Sequence, residues 1–354
     1  MSSAAINRRP WLNRSITGNL DIALGSIVPS ALAILVGLLA SLDFSLTLVG
    51  VFLPIQLLTV LAIGYSRSKL RGIKDAVLVF FTIFFSTTVL VLLVSVLVAV
   101  IFQGAETLSP HFLYQNNKYV STTTSLEYGG VGHAILGTLL IVAMTTIAAV
   151  PLGIAMAVYL TQTQSKMHSL VRTVTQALSG LPSVVSGLFI LSFMGVVGLE
   201  RSGFTGALAL FPLMLPTVAR VAEEALKLVP SDLRQAALAL GAPNYRAFFQ
   251  VVLPAAKSGI ITAVLLGLAR VVGETAPLIL TINANNSTNL NPFSGGIAAL
   301  PTYIYGFLGS LYQTSQDRAW GAALVLLIVV GLLFGLARFA SRSKTISKKT
   351  RKIK

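Results

Sequence analysis

Residues 76–102 run AVLVFFTIFFSTTVLVLLVSVLVAVIF, 27 positions without a charged side chain. About 20 apolar residues cross the hydrocarbon of a bilayer as a helix, and a helix satisfies its backbone groups there because no water can. Seven more stretches are apolar enough to span: roughly 22–42, 44–65, 133–160, 173–198, 203–222, 258–281 and 319–338. The weakest of them, 203–222, contains Pro212 and Pro216. Only 10% of the 354 residues are charged, where a soluble domain has about 25%. That excludes an ordinary soluble enzyme, a disordered chain and a collagen-like fibre. The expected fold is an all-α membrane protein, a polytopic helical bundle with about eight transmembrane helices.

The 26 Lys and Arg outnumber the 11 Asp and Glu, a net charge of +15. In a membrane protein such an excess first marks the loops that stay in the cytoplasm. With a cytoplasmic N-terminus, 22 of the 26 fall on the inner side: Arg8, Arg9, Arg14, the cluster from Arg67 to Lys74, Lys166, Arg172, the segment from Arg220 to Lys257, and the tail from Arg338. Outside stand only Lys118, Arg201 and Arg318, while Arg270 lies inside a span. Both termini are therefore expected in the cytoplasm. The chain then divides into 1–75, a cytoplasmic segment with a hairpin of two spans; 76–132, a span and an external loop; 133–340, the remaining spans with a cytoplasmic loop at 223–257; and 341–354, a basic tail. The tail, KTISKKTRKIK, is expected to meet anionic membrane lipids, each basic residue contributing about 1 kcal/mol near such a surface. No nucleic acid partner is expected. There is no Cys, His111 and His168 lack metal-ligand spacing, and His133 reads as an interfacial side chain. No catalytic residue, metal or cofactor is expected.

The cytoplasmic loop reads EEALKLVPSDLRQAALALGAPNYRAFFQVVLPAAK. Pro230 ends one helix, and Ser231 and Asp232 are N-cap residues for the next. Leu233, Ala236, Ala237 and Leu240 recur at helical spacing, and Gly241 stops that helix as a C′ glycine does. A second short helix is expected over about 244–252. The segment Gln235-Ala236-Ala237, three residues, Gly241, nine residues, Val251, one residue, Leu253-Pro254 resembles the EAA loop of permeases from ATP-binding-cassette importers. Gln235 stands where that pattern has Glu, and Val251 where it has Ile. The resemblance implies that Gln235, Ala236, Ala237, Gly241, Leu253 and Pro254 belong to a coupling element seated in a separate ATPase subunit. The chain itself holds no G-x-x-x-x-G-K-[ST], the loop that cradles nucleotide phosphates.

Inside the seventh stretch stand Arg270 and Glu274, four residues apart and expected on one helical face. A charge at that depth costs several kcal/mol or more, so it is expected to face the bundle interior or a water-filled path. It serves either as a self-neutralising pair that holds helices together or as an anion site. Arg suits an oxyanion because its planar fork donates two parallel hydrogen bonds. Arg220, at the inner end of the sixth stretch, is either a cytoplasmic anchor or a third member of the site. The segments Arg270-Val-Val-Gly-Glu274-Thr-Ala-Pro-Leu, Gly129-Gly130-Val-Gly-His133 and Leu181-Pro182-Ser183 resemble the PstA family of phosphate permeases, over roughly 70–340. That resemblance implies a type I ABC-importer permease in a bacterial cytoplasmic membrane, with Arg220, Arg270 and Glu274 lining a phosphate path. It also implies three partners: a PstC-type permease, a PstB-type ATPase dimer and an extracytoplasmic phosphate-binding protein. The stretches 22–65 are additions to the six spans usual there. Competing readings are a sulfate or molybdate permease and an ion-coupled secondary transporter with Arg270 and Glu274 as a proton relay. An intramembrane hydrolase using Ser183 or Ser186 would lack a His at comparable depth.

Overall fold

The computed structural model describes residues 16–40, 47–163 and 165–341; Arg8, Arg9, Arg14 and the basic tail lie outside the described residues. Contacts divide the chain into two units, 1–97 and 98–354. The first holds α1 (Ile16–Leu39), a π-helical turn at Thr47–Phe52 and the start of α2 (Leu53–Thr107). A methyl group on Gly37 would stand 2.7 Å from Cγ2 of Thr47, so glycine is what lets α1 close on the π turn.

The expected stretches fall on helices, but 173–198 and 258–281 are each divided between two, and residues 41–46 lie outside the described residues. Among the described residues four helices are long and apolar enough to cross a membrane: Ile73–Thr107, Gly132–Gln162, Gly203–Lys227 and Gln313–Leu336. Two bent pairs raise the number to six, His168–Ser179 with Ser183–Val197, and Asn244–Ala255 with Lys257–Val272. The two N-terminal stretches contribute the shorter apolar helices Ile27–Leu39 and Gly50–Ile63. The charged segment 66–75, expected to separate two spans, is helical: α2 runs through it as a single helix of 55 residues. Its SRSKLRGIKD has no Pro, and Arg, Lys and Leu favour helix strongly enough to carry Gly72.

In the second unit, α3 (Pro110–Tyr114) lies in the segment expected outside and α4 (Gly132–Gln162) follows. Next come α5 (His168–Ser179), α6 (Ser183–Val197) and α7 (Gly203–Lys227). The core forms where α4 and the later helix α11 (Lys257–Val272) pack on α7, around Ile141, Leu210, Leu213, Met214, Val218 and Val271. α7 has the lowest mean hydropathy of the four long spans, 1.5, and the largest buried share, 61%. Helices in lipid gain little from apolarity when they meet one another, so small residues that admit close packing decide which helix sits centrally. Val218 shows it: methyl groups added at Gly153 of α4 and Gly267 of α11 would stand 2.9 and 2.7 Å from its side chain. A capping box starts α7, with the Ser202 N–H donating to Thr205 Oγ1 at 2.9 Å and the Thr205 N–H to Ser202 Oγ at 3.4 Å.

Candidate functional site

The clamp on Val218 fixes the rotation of α7 and therefore of Arg220, half a turn further on. Thr217, Arg220, Val221 and Glu224 follow at i, i+3, i+4 and i+7, one face of the helix. Arg270 stands in the last turn of α11, where a cation is favoured by the helix dipole. These residues and Ser179 line one cavity of about 430 Å³: Ser179, Thr217, Arg220, Val221, Glu224 and Arg270. Among the described residues neither arginine has an ion-pair or hydrogen-bond partner, so two guanidiniums face shared space without a bonded counterion.

Glu274 is placed differently from the sequence expectation. α11 ends at Val272 and Gly273 is its C-cap, so Arg270 and Glu274 do not share a helical face. Glu274 occupies the break before α12 (Ala276–Thr281), half-buried, with its N–H donating to Val271 O at 3.3 Å. Pro277, in the first turn of α12, accounts for the break: it has no N–H to donate to Gly273 O, and in a continuous helix its ring would clash with that carbonyl. Glu274 is not among the residues lining the cavity. The carboxylate that does line it, Glu224, was assigned in the sequence to the cytoplasmic loop. Its spacing four residues after Arg220 was the available signal.

A second, smaller cavity of about 140 Å³ adjoins, lined in part by Arg172, Arg220, Glu223, Glu224 and Lys227. Here Glu223 is buried, and its Oε1 stands 3.2 Å from Arg172 Nη2 and 2.8 Å from Lys227 Nζ. The Arg172 contact joins α5 to α7. α5 is sharply amphipathic and meets α6 at 104°, the turn falling at Gly180-Leu181-Pro182.

Beyond α7 the loop expected in the cytoplasm forms α8 (Ser231–Ala239). Pro230, not Ser231, occupies the N-cap, and no side chain caps it; Ser231 and Asp232 sit inside the first turn. Pro230 takes that place because its fixed φ, −57°, suits an extended cap and its missing N–H is not needed there. At the other end Gly241 has φ +83°. Its N–H donates to Leu238 O at 2.9 Å and that of Ala242 to Ala237 O at 3.1 Å, a Schellman pair. The second helix is not uniform: α9 (Asn244–Ala247) passes through a π turn at Phe248–Val252 into α10 (Leu253–Ala255), which includes Pro254. No residue of α8 is buried, and Leu233, Leu238, Tyr245 and Phe249 are 45%, 37%, 60% and 61% exposed. Those apolar side chains have no full cover among the described residues. In the same loop Gln235, Ala236, Gly241 and Pro254 are exposed, and Ala237 and Leu253 are half-buried.

The family described as binding-protein-dependent transport system inner membrane component matches residues 149–344. The phosphate transport system permease protein PstA 1 of Mycobacterium tuberculosis (strain CDC 1551 / Oshkosh) is 44% identical over 207 residues, which is 58% of this chain and 68% of that protein. The phosphate transport system permease protein PstA of Mycobacterium leprae is 44% identical over 213 residues, 59% of this chain and 70% of that protein. Among solved structures, the MetNI methionine ABC transporter in inward-facing conformations aligns with a TM-score of 0.43 and 21% identity, over 60% of this chain and 91% of that one.

Proposed function

The chain belongs to the family of binding-protein-dependent transport system inner membrane components, and from that premise we propose that it is the membrane-spanning permease subunit of an ATP-driven importer of inorganic phosphate. The observation behind the substrate is the 44% identity to a phosphate permease across 68% of that protein's length. The chemistry of the site supports it. Arg220 and Arg270 line one cavity without a bonded counterion, and a guanidinium pair of that kind suits a tetrahedral oxyanion through bidentate hydrogen bonds. Glu274, in the break after α11, lies four residues along the chain from Arg270 and belongs to the same path.

The chain has no nucleotide-binding loop, so ATP is hydrolysed by a partner, a PstB-type ATPase dimer. The exposed face of α8, with Gln235, Ala236, Ala237 and Gly241, and the Leu253-Pro254 end of the loop dock that partner. A PstC-type permease supplies the other half of the path, and an extracytoplasmic phosphate-binding protein delivers the anion. The protein is a multi-pass component of the bacterial cytoplasmic membrane, with both termini and the docking loop inside. Closure of the ATPase dimer moves α8 and α9, and through them α7 and α11, which carry the two arginines.

ATP-dependent uptake in proteoliposomes holding the assembled transporter, with binding protein on the receptor side, tests this. Labelled phosphate is expected to enter and labelled sulfate to stay out. In Arg270→Gln uptake should fall about a hundredfold, corresponding to ~3 kcal/mol of lost charged hydrogen bonds. Preferential sulfate uptake would overturn the substrate, wild-type rates in the variant would overturn the site, and uptake without the ATPase would overturn the importer class.

A further inference from the structure

Glu224 is the one acidic residue lining the cavity that holds Arg220 and Arg270, and it also lines the adjoining smaller cavity. Only one contact of its carboxylate is used: Oε1 stands 3.3 Å from Lys227 Nζ, and the side chain is 72% exposed. Glu223 is not equivalent, because it is buried, its Oε1 is held by two cations, Arg172 and Lys227, and it does not line the larger cavity. The two hydroxyls of the larger cavity are also committed. Ser179 Oγ donates to Thr175 O at 2.8 Å and Thr217 Oγ1 to Leu213 O at 3.1 Å, so each offers the cavity lone pairs, not a hydrogen. The lining therefore combines two strong donors with three acceptor groups, one of them anionic. A volume of about 430 Å³ is more than tenfold the ~30 Å³ share of one water molecule, ample for an oxyanion and several waters.

We propose that Glu224 is a specificity-determining residue of this cavity: it admits tetrahedral oxyanions that carry their own proton and rejects those that carry none. The proposal rests on the permease reading above. Phosphate and arsenate keep at least one O–H at neutral pH, and that hydrogen is donated to the Glu224 carboxylate while the remaining oxygens accept from Arg220 and Arg270. Sulfate has no hydrogen to donate, so in the same position it meets a like charge and acceptors that nothing satisfies. Such mismatches are how sites discriminate between ligands of equal size and shape.

The test uses the purified transporter with its partner permease and ATPase pair but without the binding protein, so that the receptor's own selectivity does not enter. Radiolabelled phosphate is bound at neutral pH, and arsenate and sulfate compete for it. In the wild type arsenate is expected to displace phosphate at least about tenfold more effectively than sulfate. In Glu224→Gln phosphate binding persists, because the amide oxygen still accepts, but sulfate becomes nearly as good a competitor, because the amide also donates. Glu224→Asp retains the preference. An unchanged arsenate-to-sulfate ratio in Glu224→Gln would overturn the proposal while leaving the permease intact. Equal competition in the wild type would also overturn it. Failure of the wild type to bind phosphate at all would overturn the permease reading, and this inference with it.

Discussion

Arg318 is wholly buried, yet no carboxylate pairs with it among the described residues. Its Nη1 donates to Thr124 O at 3.0 Å, and its Nη2 to Ser125 O and Tyr128 O, both at 2.8 Å. Three carbonyl dipoles of residues 124–128 thus take the place of a counterion and tie that segment to α13 (Gln313–Ser341). Asn117 makes a second tie, donating to Tyr303 Oη at 2.8 Å and accepting from the Gly130 N–H at 3.1 Å. The segment 103–132, expected as a plain connecting loop, is therefore tied into one end of the bundle. Arg318→Leu leaves three inward carbonyls without a donor and should cost about 3–5 kcal/mol. The expected readouts are a lower unfolding midpoint and faster proteolysis within residues 118–128 of the assembled transporter; wild-type values for both would refute the tie. Arg318→Lys should recover only part of the loss, since one ammonium cannot reach three carbonyls in the guanidinium's planar geometry. In the sequence Arg318 was legible only as an outer charge, because backbone carbonyl partners leave no residue-level signal. Arg220 and Arg270 were legible because charge in an apolar run is rare. Glu224 was missed because the sixth span was ended at residue 222, two positions short of it, although its helical register with Arg220 was there to read.

At the scale of elements, what the sequence disclosed was what neighbouring residues decide among themselves. Gly241 ends α8 with φ +83° because the Schellman bonds require a left-handed residue, and the chemistry of that stop is confined to six positions. Gly241→Val should cost about 1–2 kcal/mol locally, since a β-branched residue is disfavoured in that region. A methyl there meets nothing within 4 Å, so the strain lies in the backbone and not in packing. The variant is expected to reach the membrane in wild-type amount but to co-purify with several-fold less ATPase; undiminished ATPase recovery with full transport would show that α8 is not the docking element. Bends were less legible. The stretch 173–198 is apolar enough for a span, yet it holds a 104° turn, because hydropathy counts residues and is blind to their direction. At 258–281 the helix stops at Val272, and the intervening Gly273 and Pro277 undo the i, i+4 pairing that a continuous helix would give Arg270 and Glu274. Conversely, the charged segment 66–75 reads as a break between two spans because it separates two apolar runs, and it is helical because its residues are good helix formers.

For the molecule as a whole the quantity left to fix is its direction in the membrane, and the charge distribution makes a definite claim. With 22 basic residues on one side and three on the other, a reversed insertion would carry the docking loop to the face that has no ATP and expose the basic clusters there. The absence of Cys makes this testable without first stripping the protein of native thiols. Lys118 lies exposed in the external segment, its ammonium over the Tyr119 ring at 5.4 Å, and Lys166 lies exposed in the turn between α4 and α5. Neither makes an ion pair among the described residues, so Lys118→Cys and Lys166→Cys should assemble and transport as the wild type does. With a membrane-impermeant maleimide, Lys118→Cys is expected to label in right-side-out vesicles and Lys166→Cys only in inside-out ones. The opposite pattern would reverse the topology and take the α8 surface out of reach of any cytoplasmic ATPase. Labelling of both from one side would mean that α4, the one long helix between the two positions, does not cross the membrane. The cytoplasmic assignment of Arg220, Glu224 and the docking loop thus depends on the same two thiols, since α5 to α7 follow Lys166 directly in the chain.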